Sequence, residues 1–271
     1  FNQATYIEDA FRGFLIQKTD FVFEVIVHDD ASTDGTTDIV REYAKRYPKI
    51  FKPVIQTENQ YSQGKKPTLL SSAHAKGEYI ALCEGDDFWN DENKLQKQYI
   101  SLAKNKGINL CFTACQYLFP NGELNIGCSH STNESIFPPG VVIESGSGFI
   151  PTCSLMIKTE AIDNLQNWFA RRAPAGVIFL QILGSINRGA YYFPSVSCVY
   201  RIAAENSWSV EQANKDLSQV LKHKNLVNLC LEEINSDTGK VYDVKFRKLQ
   251  DNSYLSSGKI NKKNGQFRDA A

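Results

Sequence analysis

The sequence has no excess of charge of either sign: 30 Lys and Arg balance 30 Asp and Glu over 271 residues. That balance excludes the broad basic footprint of a nucleic-acid binder. No apolar run approaches the roughly 20 residues that span a bilayer. No signal-peptide pattern opens the chain, no internal repeat runs through it, and no Pro/Gly linker divides it. Its seven cysteines are odd in number, form no CxxC pair and sit mostly inside apolar segments. Reduced, buried thiols in a cytoplasmic protein are therefore expected. Asn133-Glu134-Ser135 matches a glycosylation acceptor, which is empty in that setting. What remains is a chain long enough for one large domain or two small ones, with a sizeable core.

The first hundred residues alternate strands and helices. Residues 5–17 read as a helix with Ile7, Phe11, Phe14 and Leu15 on one face. Phe23-Glu24-Val25-Ile26-Val27-His28 is a nearly continuous apolar strand of the kind buried in a parallel sheet. A parallel βαβ unit has a strand before its first helix, and none stands before residue 5. The expectation is that the first strand is missing and that Phe1 begins in the loop after it. A turn-rich segment, Asp29 to Thr36, leads to a helix stopped by Pro48. A strand at 51–56, a loop at 57–67, a short helix at 68–76 closed by Gly77 and a strand at 79–83 follow. Asn90 or Asp91 is expected to cap a helix striped by Leu95, Tyr99 and Leu102. This rhythm predicts an α/β fold with a mostly parallel, Rossmann-like sheet flanked by helices. Past residue 108 it changes. Leu110–Phe119 reads as a strand, Asn121-Gly122 as a turn, and 128–148 as a long loop rich in Ser, Gly and Pro. Residues 149–158 and 191–200 are strand-like, 160–171, 177–188 and 210–234 helical, and the last 30 form a weak helix and mobile tail.

Two acidic pairs stand directly after buried strands: Asp29-Asp30, and Asp86-Asp87 within Glu84-Gly85-Asp86-Asp87-Phe88-Trp89. In an open α/β sheet, ligands bind in the crevice at the strands' carboxyl ends. Parallel strands would bring both pairs there. Adjacent carboxylates repel unless a cation or hydrogen bonds compensate them. A hard divalent ion, Mg²⁺ or Mn²⁺, with a diphosphate on its far side is the natural compensator; a solvated acidic loop is the plain alternative. Asp34 is read as a helix cap, whereas Asp29, at a strand end, is read as ligand-binding. Trp89 is expected to pack under the acidic loop, His28 to be a satisfied core residue, His74 to lie at the surface and Lys65-Lys66 to form a solvated turn. Trp208 is read as either core or acceptor-site wall, and Arg201 as either a structural ion pair or a diphosphate partner.

His28-Asp29-Asp30-Ala31-Ser32-Thr33-Asp34-Gly35-Thr36, Gly77-Glu78-Tyr79-Ile80 and the Glu84–Trp89 stretch together resemble the family 2 glycosyltransferases. Phe1-Asn2 resembles the tail of that family's Pro-x-Tyr-Asn motif. The resemblance covers residues 1–208 and is most specific in the first hundred. It implies a GT-A fold at 1–208, with a nucleotide-sugar-binding half (1–108) and an acceptor half (109–208), then a C-terminal helical extension and tail (209–271). It implies a nucleotide-sugar site built from Asn2, Asp29, Asp30, Asp86 and Arg201. Asp29 would take the uracil or other base edge, and Asp86 the ribose or diphosphate. Asp87 would coordinate Mn²⁺ or Mg²⁺ in a degenerate DxD motif. The implied activity is inverting transfer from a nucleotide-sugar donor, expected to be UDP-linked, to a hydroxyl of a glycan or lipid-linked acceptor. Surface polysaccharide synthesis in the cytoplasm, peripheral to the membrane's inner face, is the implied setting.

The sequence departs from the family twice. The Gly-Asp pair that supplies the general base at a helix start is matched here by Gly176-Val177, and Val177 cannot take a proton. Val199-Tyr200-Arg201-Ile202-Ala203 is similar to the family's Tyr-Arg-x-His segment without its last polar residue. Glu144, Glu160 and Glu205 are the substitute carboxylates. A nucleotide-sugar-binding pseudoenzyme with weak or no turnover therefore stands as the alternative. A nucleotidyltransferase shares the acidic metal ligands but needs a Gly-rich, basic phosphate loop. Ser32-Thr33-Asp34-Gly35-Thr36 approaches the Asp-x-Asp-Gly-Thr motif of haloacid-dehalogenase-like phosphatases, yet with Ser32 at the nucleophile position that chemistry lacks its first step.

Overall fold

In a computed structural model of the chain, residues 1–163, 173 and 176–252 are described. Helix α1 (Ile7–Leu15) turns Ile7, Ala10, Phe11 and Phe14 inward, as its helical spacing dictates. Strand β1 (Val25–Asp29), helix α2 (Thr36–Arg46) and strand β2 (Phe51–Ile55) form a βαβ unit, with β1 parallel to β2 from Val25↔Phe51 to Asp29↔Ile55. Helix α3 (Pro67–Ser72) leads to β3 (Tyr79–Ala81), then the short β4 (Phe88–Trp89) and α4 (Lys94–Lys104). Strand β5 (Leu110–Leu118) turns into β6 (Leu124–Gly127) through Gly122, whose φ of 84° is left-handed and suits glycine. Then come β7 (Ser135–Phe137), α5 (Pro139–Ser145), β8 (Met156–Lys158), α6 (Val177–Ser185) and β9 (Ala190–Arg201). Helices α7 (Trp208–Ala213) and α8 (Leu217–Asp237) follow, and 243–252 are helical.

The α/β class holds, with strand directions mixed rather than mostly parallel. β1·β2 and β5·β9 are parallel; β3·β8, β5·β8, β5·β6, β4·β9 and β7·β9 are antiparallel. The tight Gly122 turn is one reason, since only antiparallel neighbours can be joined by so short a connection. The strands fall into two sheets: β1-β2, and β3-β8-β5-β9-β4 with β6 on β5 and β7 on β9. β1 and β3 share no ladder, and a large cleft lies between them.

Two apolar cores flank β5 and β9. One gathers Phe11, Tyr43 and Phe51, whose ring centroids lie 4.8 and 4.9 Å from Phe11, with Trp89, Leu95 and Leu102. The other joins Leu110, Phe112, Phe179 and Tyr192 to Cys230, Leu231, Ile234, Phe246 and Leu249 from the C-terminal helices. Residues past 208 thus share a core with strands and helices of the 109–208 segment. The 128–148 segment, expected as a loop, contains β7 and α5. The 149–158 strand is a 3₁₀ turn at Thr152–Ser154 plus the short β8. The single helix expected at 210–234 is two, because Asp216 starts α8 afresh with a capping box to Gln219. Asp91 does not cap α4 as expected: it accepts from Asn93 N–H at 2.9 Å, while the helix opens at Asn93 without a side-chain cap. Most of the 160–171 helix and the tail past Asn252 lie outside the described residues. None of the seven cysteines is in a disulfide.

A carboxylate-lined cleft as the candidate active site

β1 and β3 each end in an acidic turn, and both turns open on one cleft of about 1370 Å³. Asp29, Asp30, Glu84 and Asp86 line it on this side. Gly176, Val177, Tyr200 and Ile202 also line it, with Tyr61, Lys66, Trp208 and His223.

The first turn is held by its own carboxylates. Asp29 is 2% exposed and accepts hydroxyl hydrogen bonds from Ser32 and Thr37. Asp30 accepts the backbone N–H of Gln60 at 2.7 Å and of Tyr61 at 2.9 Å, drawing the 57–66 loop over the strand end. Asn2 clasps the same turn: its N–H donates to Ser32 Oγ at 2.8 Å and its Oδ1 accepts from Thr33 N–H at 2.9 Å. Asp34 lies just before the Gly35 N-cap and accepts from Thr36 N–H and Ala4 N–H, tying α2 to the loop before α1. Burial opposes its charge, but these hydrogen bonds outweigh burial and hold its carboxyl below the usual range. Asn2, Ala31, Ala203 and Asn206 all take positive φ in the loops around these turns, a strain that proteins concentrate at functional sites.

The second turn crowds three acids. Asp86 faces the cleft, and burial pushes its carboxyl up. Asp87 is 1% exposed; its Oδ1 accepts the Arg201 backbone N–H at 2.9 Å, and its Oδ2 is buried without a partner. Burial first, then the charges of Glu84 and Asp86, raise Asp87 well above the usual range. Glu84 lines the cleft, where desolvation by the surrounding protein and then the charge of Asp86 raise its carboxyl to about 7. Three carboxylates that resist sharing their charge, one with an orphaned oxygen, fit a divalent cation. Among the described residues no three or more His, Cys, Asp or Glu side chains converge on one point. An ion here would take one or two carboxylates and complete its shell with water and phosphate oxygens, as Mg²⁺ commonly does.

Other expected site residues are placed differently. The Arg201 guanidinium pairs with Asp9 of α1 and lies 5.0 Å from both the Tyr6 and Phe88 ring centroids. That is the ion pair of the first reading, yet the guanidinium charge also reaches Asp86 and opposes the upward push of burial on that carboxyl. Val177 opens α6 on the cleft wall. Of the substitute bases, Glu144 reaches the cleft but Lys245 and Lys248 clasp it and hold its carboxyl below the usual range. Glu160 and Glu205 do not line the cleft. Trp89 is core, its Nε1–H donating to Cys153 O at 2.9 Å. His28 is half-buried with its imidazole pKa lowered by burial, and His74 is exposed. Sequence reasoning underrated Lys66, whose ammonium pKa burial lowers, and missed Tyr61, whose hydroxyl accepts from Trp208 Nε1 at 3.2 Å. The Lys65-Lys66 pair was a visible signal, but an irregular loop has no period to say which side chain faces inward.

Known proteins agree with this geometry. The uncharacterized protein Rv1520 of Mycobacterium tuberculosis is 33% identical over 220 residues, 77% of this chain and 58% of its own length. The chain thus spans 58% of that relative. The putative teichuronic acid biosynthesis glycosyltransferase TuaG of Bacillus subtilis is 34% identical over 98 residues, 36% of this chain and 37% of its own. Among solved structures, residues 1–349 of S. aureus TarS, in complex with UDP, give a TM-score of 0.61 at 14% identity, covering 100% of this chain and 92% of that one. The mannosyltransferase PcManGT from Pyrobaculum calidifontis, in complex with GDP-Man and Mn²⁺, gives 0.59 at 15% identity, covering 100% and 74%. These superpositions establish the GT-A fold. Among the described residues no helix is long and apolar enough to cross a membrane. With residues 1–137 matching the profile of Glycosyl transferase family 2, the chain belongs to that family.

Proposed function

We propose that the chain moves a sugar from a nucleotide-sugar, UDP-linked, to a hydroxyl of a glycan or lipid-linked acceptor. Transfer inverts the anomeric centre, uses Mn²⁺ or Mg²⁺, and serves surface polysaccharide synthesis at the cytoplasmic face of a membrane. The observation that carries this reading is the convergence of two acidic strand-end turns on one cleft. Asn2, Asp29 and Asp30 form its nucleotide end, Asp86 meets the ribose or diphosphate, and Asp87 and its neighbours hold the metal. TarS with UDP and PcManGT with GDP-Man and Mn²⁺ support the donor class and the metal. When bound, the divalent ion stabilises the charge that grows on the departing diphosphate. Lys66, on the wall of the same cleft, brings a cation to it. Residues 1–108 serve the donor and 109–208 the acceptor.

The test is a thermal-shift screen of the 271-residue chain with UDP, GDP and their sugars, with and without Mn²⁺. Nucleotide at a hundredfold its Kd adds about 2.7 kcal/mol, so a clear rise in Tm, larger with Mn²⁺, is expected. A flat response to every nucleotide would remove the reading. Val177 on the cleft wall, with Glu144 neutralised by two lysines, favours a second reading: the chain binds donor and turns it over weakly. Acceptor-dependent release of UDP at ordinary enzymatic rates by the unmodified chain would exclude that.

A further inference from the structure

We infer that Cys115 and Cys128 form a redox site, a dithiol that a hydroperoxide converts to a disulfide, with Cys128 reacting first and Cys115 closing the bond. The placement of the two thiols carries the argument. β5 pairs antiparallel with β6, and Cys115 stands opposite Gly127, the last residue of β6. The Cys115 thiol donates to Gly127 O at 3.7 Å, the carbonyl of the peptide that leads into Cys128. An extended residue at 128 would point to the face opposite Gly127, away from Cys115. Cys128 instead takes a φ of 50°, left-handed backbone that few non-glycine residues adopt. Its thiol comes to lie beside that of Cys115, and each is the leading influence on the other's proton. Such strain persists where the surroundings hold it, and it clusters at functional sites.

The two thiols are unequal. Cys115 is 0% exposed, whereas Cys128 is half-buried. Tyr117 shares a face of β5 with Cys115, two residues on, and its ring lies over Gly127, where any Cβ would collide with the ring carbons. Glycine at 127 therefore lets the Tyr117 hydroxyl reach Cys128 Sγ at 2.9 Å. A hydroxyl aimed at sulfur favours the thiolate, the reactive form of cysteine. Cys115 first, helped by Tyr117, outweighs burial at Cys128, while Cys128 and then burial raise Cys115. One thiol is thus accessible and acidic, and its neighbour is shielded and keeps its proton. Cys153 and Cys198 also neighbour each other, but both are 0% exposed and out of an oxidant's reach. Neither Cys115 nor Cys128 lines the cleft, so the site stands apart from the donor chemistry.

The chemistry takes two steps. The Cys128 thiolate attacks one oxygen of hydrogen peroxide, the O–O bond breaks, and the departing hydroxide takes a proton to leave as water. Cys128 is then a sulfenic acid, oxidised by two electrons, and the charge that opposed ionisation of Cys115 is gone. Cys115 Sγ attacks Cys128 Sγ, the S–S bond forms, the S–O bond breaks, and the hydroxyl leaves as a second water with the Cys115 proton.

The test adds one equivalent of hydrogen peroxide to the folded, reduced chain at neutral pH. Remaining thiols are blocked with N-ethylmaleimide and the peptides mapped by mass. A Cys115–Cys128 disulfide is expected, forming about tenfold or more faster than any other thiol is lost, independent of protein concentration and reversed by dithiothreitol. Cys115→Ala removes the closing thiol, so Cys128 should stay a sulfenic acid that dimedone captures. Cys128→Ser should leave Cys115 reduced; being half-buried, this site tolerates the change should Cys115→Ala fail to fold. The inference is overturned if the unmodified chain accumulates oxidised Cys128 beside a free Cys115 thiol. A disulfide mapped first to another pair, Cys153–Cys198 included, also overturns it, as does one that joins two chains. So does loss of the Cys115 thiol at an unchanged rate in Cys128→Ser.

Discussion

Lys94 carries its ammonium into the core, at 0% exposure. Its Nζ donates to Gln98 Oε1 at 2.5 Å and lies 4.5 Å from the Trp89 ring centroid. Burial lowers its pKa. Below the ordinary lysine value of about 10.4, the unfolded chain therefore binds more protons than the folded one. Stability rises with pH through that window and is lost as pH falls through it. Lys94→Met keeps the stem and removes the charge. Its expected effect is unchanged or higher stability at neutral pH, since an apolar replacement of a buried charge is often neutral or stabilising. Urea midpoints should also vary less with pH just below about 10.4 than in the unmodified chain. A loss beyond about 2 kcal/mol with the pH slope intact would show that the charge itself holds this core together. Cys128 is the opposite case. The neighbouring Cys115 thiol outweighs burial and, helped by the Tyr117 hydroxyl at 2.9 Å, lowers its pKa to about 7. Burial raises Cys83, Cys111 and Cys153. Iodoacetamide at neutral pH should therefore label Cys128 first, and Tyr117→Phe should slow that labelling; mass mapping that finds Cys83 or Cys111 ahead of it contradicts this.

Single elements set the geometry of the cleft. α1 packs so closely on β4 that a Cβ on Gly13 would stand 2.6 Å from Trp89 O and 2.8 Å from Trp89 N. Backbone cannot yield as a side chain tip does. Alanine gains about 1 kcal/mol of helix propensity, against roughly 1–3 kcal/mol for overpacking. Gly13→Ala should thus be net destabilising in a urea titration, and a gain in stability would mean that α1 can lift from β4 at little cost. Where α6 opens on the cleft, Val177→Asp places a carboxylate at a helix N-terminus, which favours negative charge. If a lost base limits turnover, the change should raise acceptor-dependent UDP release by roughly 10²–10⁴; no rise, with nucleotide binding intact, places the base elsewhere. These elements also show what a sequence discloses. α1, β1 and the acidic turns were legible because local period and local turn chemistry agree there. β7 and α5 were hidden because Ser, Gly and Pro mask their short apolar runs at 135–145. The break before α8 was visible as Asp216-x-x-Gln219 and went unread. The Arg201–Asp9 pair joins residues 192 apart, a distance that no local pattern spans.

At the scale of the molecule, the C-terminal helices decide how much of the chain is one folding unit. Cys230, Leu231 and Ile234 of α8, with Phe246 and Leu249 beyond it, are at most 7% exposed and pack into the core built on Leu110, Phe112, Phe179 and Tyr192. Residues past 208 read as an extension because the family resemblance ends there; which face of their helices is covered depends on a core assembled from distant strands. The same core supports α6 and hence the Val177 wall, and His223, Val227 and Leu249 of the C-terminal helices line the cleft themselves. Leu231→Ala should cost about 2–5 kcal/mol, as buried leucine deletions do, and lower Tm by roughly 2–4 °C per kcal/mol in a chain of this size. Truncation after Ala213 removes the whole cover. It should leave a protein that binds a hydrophobic dye and unfolds without cooperativity, because it uncovers the apolar face that Leu231, Ile234, Phe246 and Leu249 pack against. Measured side by side, the two variants separate a shared core from an appended one. An appended module predicts that the truncated chain melts cooperatively and keeps the nucleotide-induced shift of the full chain. A shared core predicts loss of both, with Leu231→Ala lowering the melting of residues 1–108 and 109–208 together in a single transition.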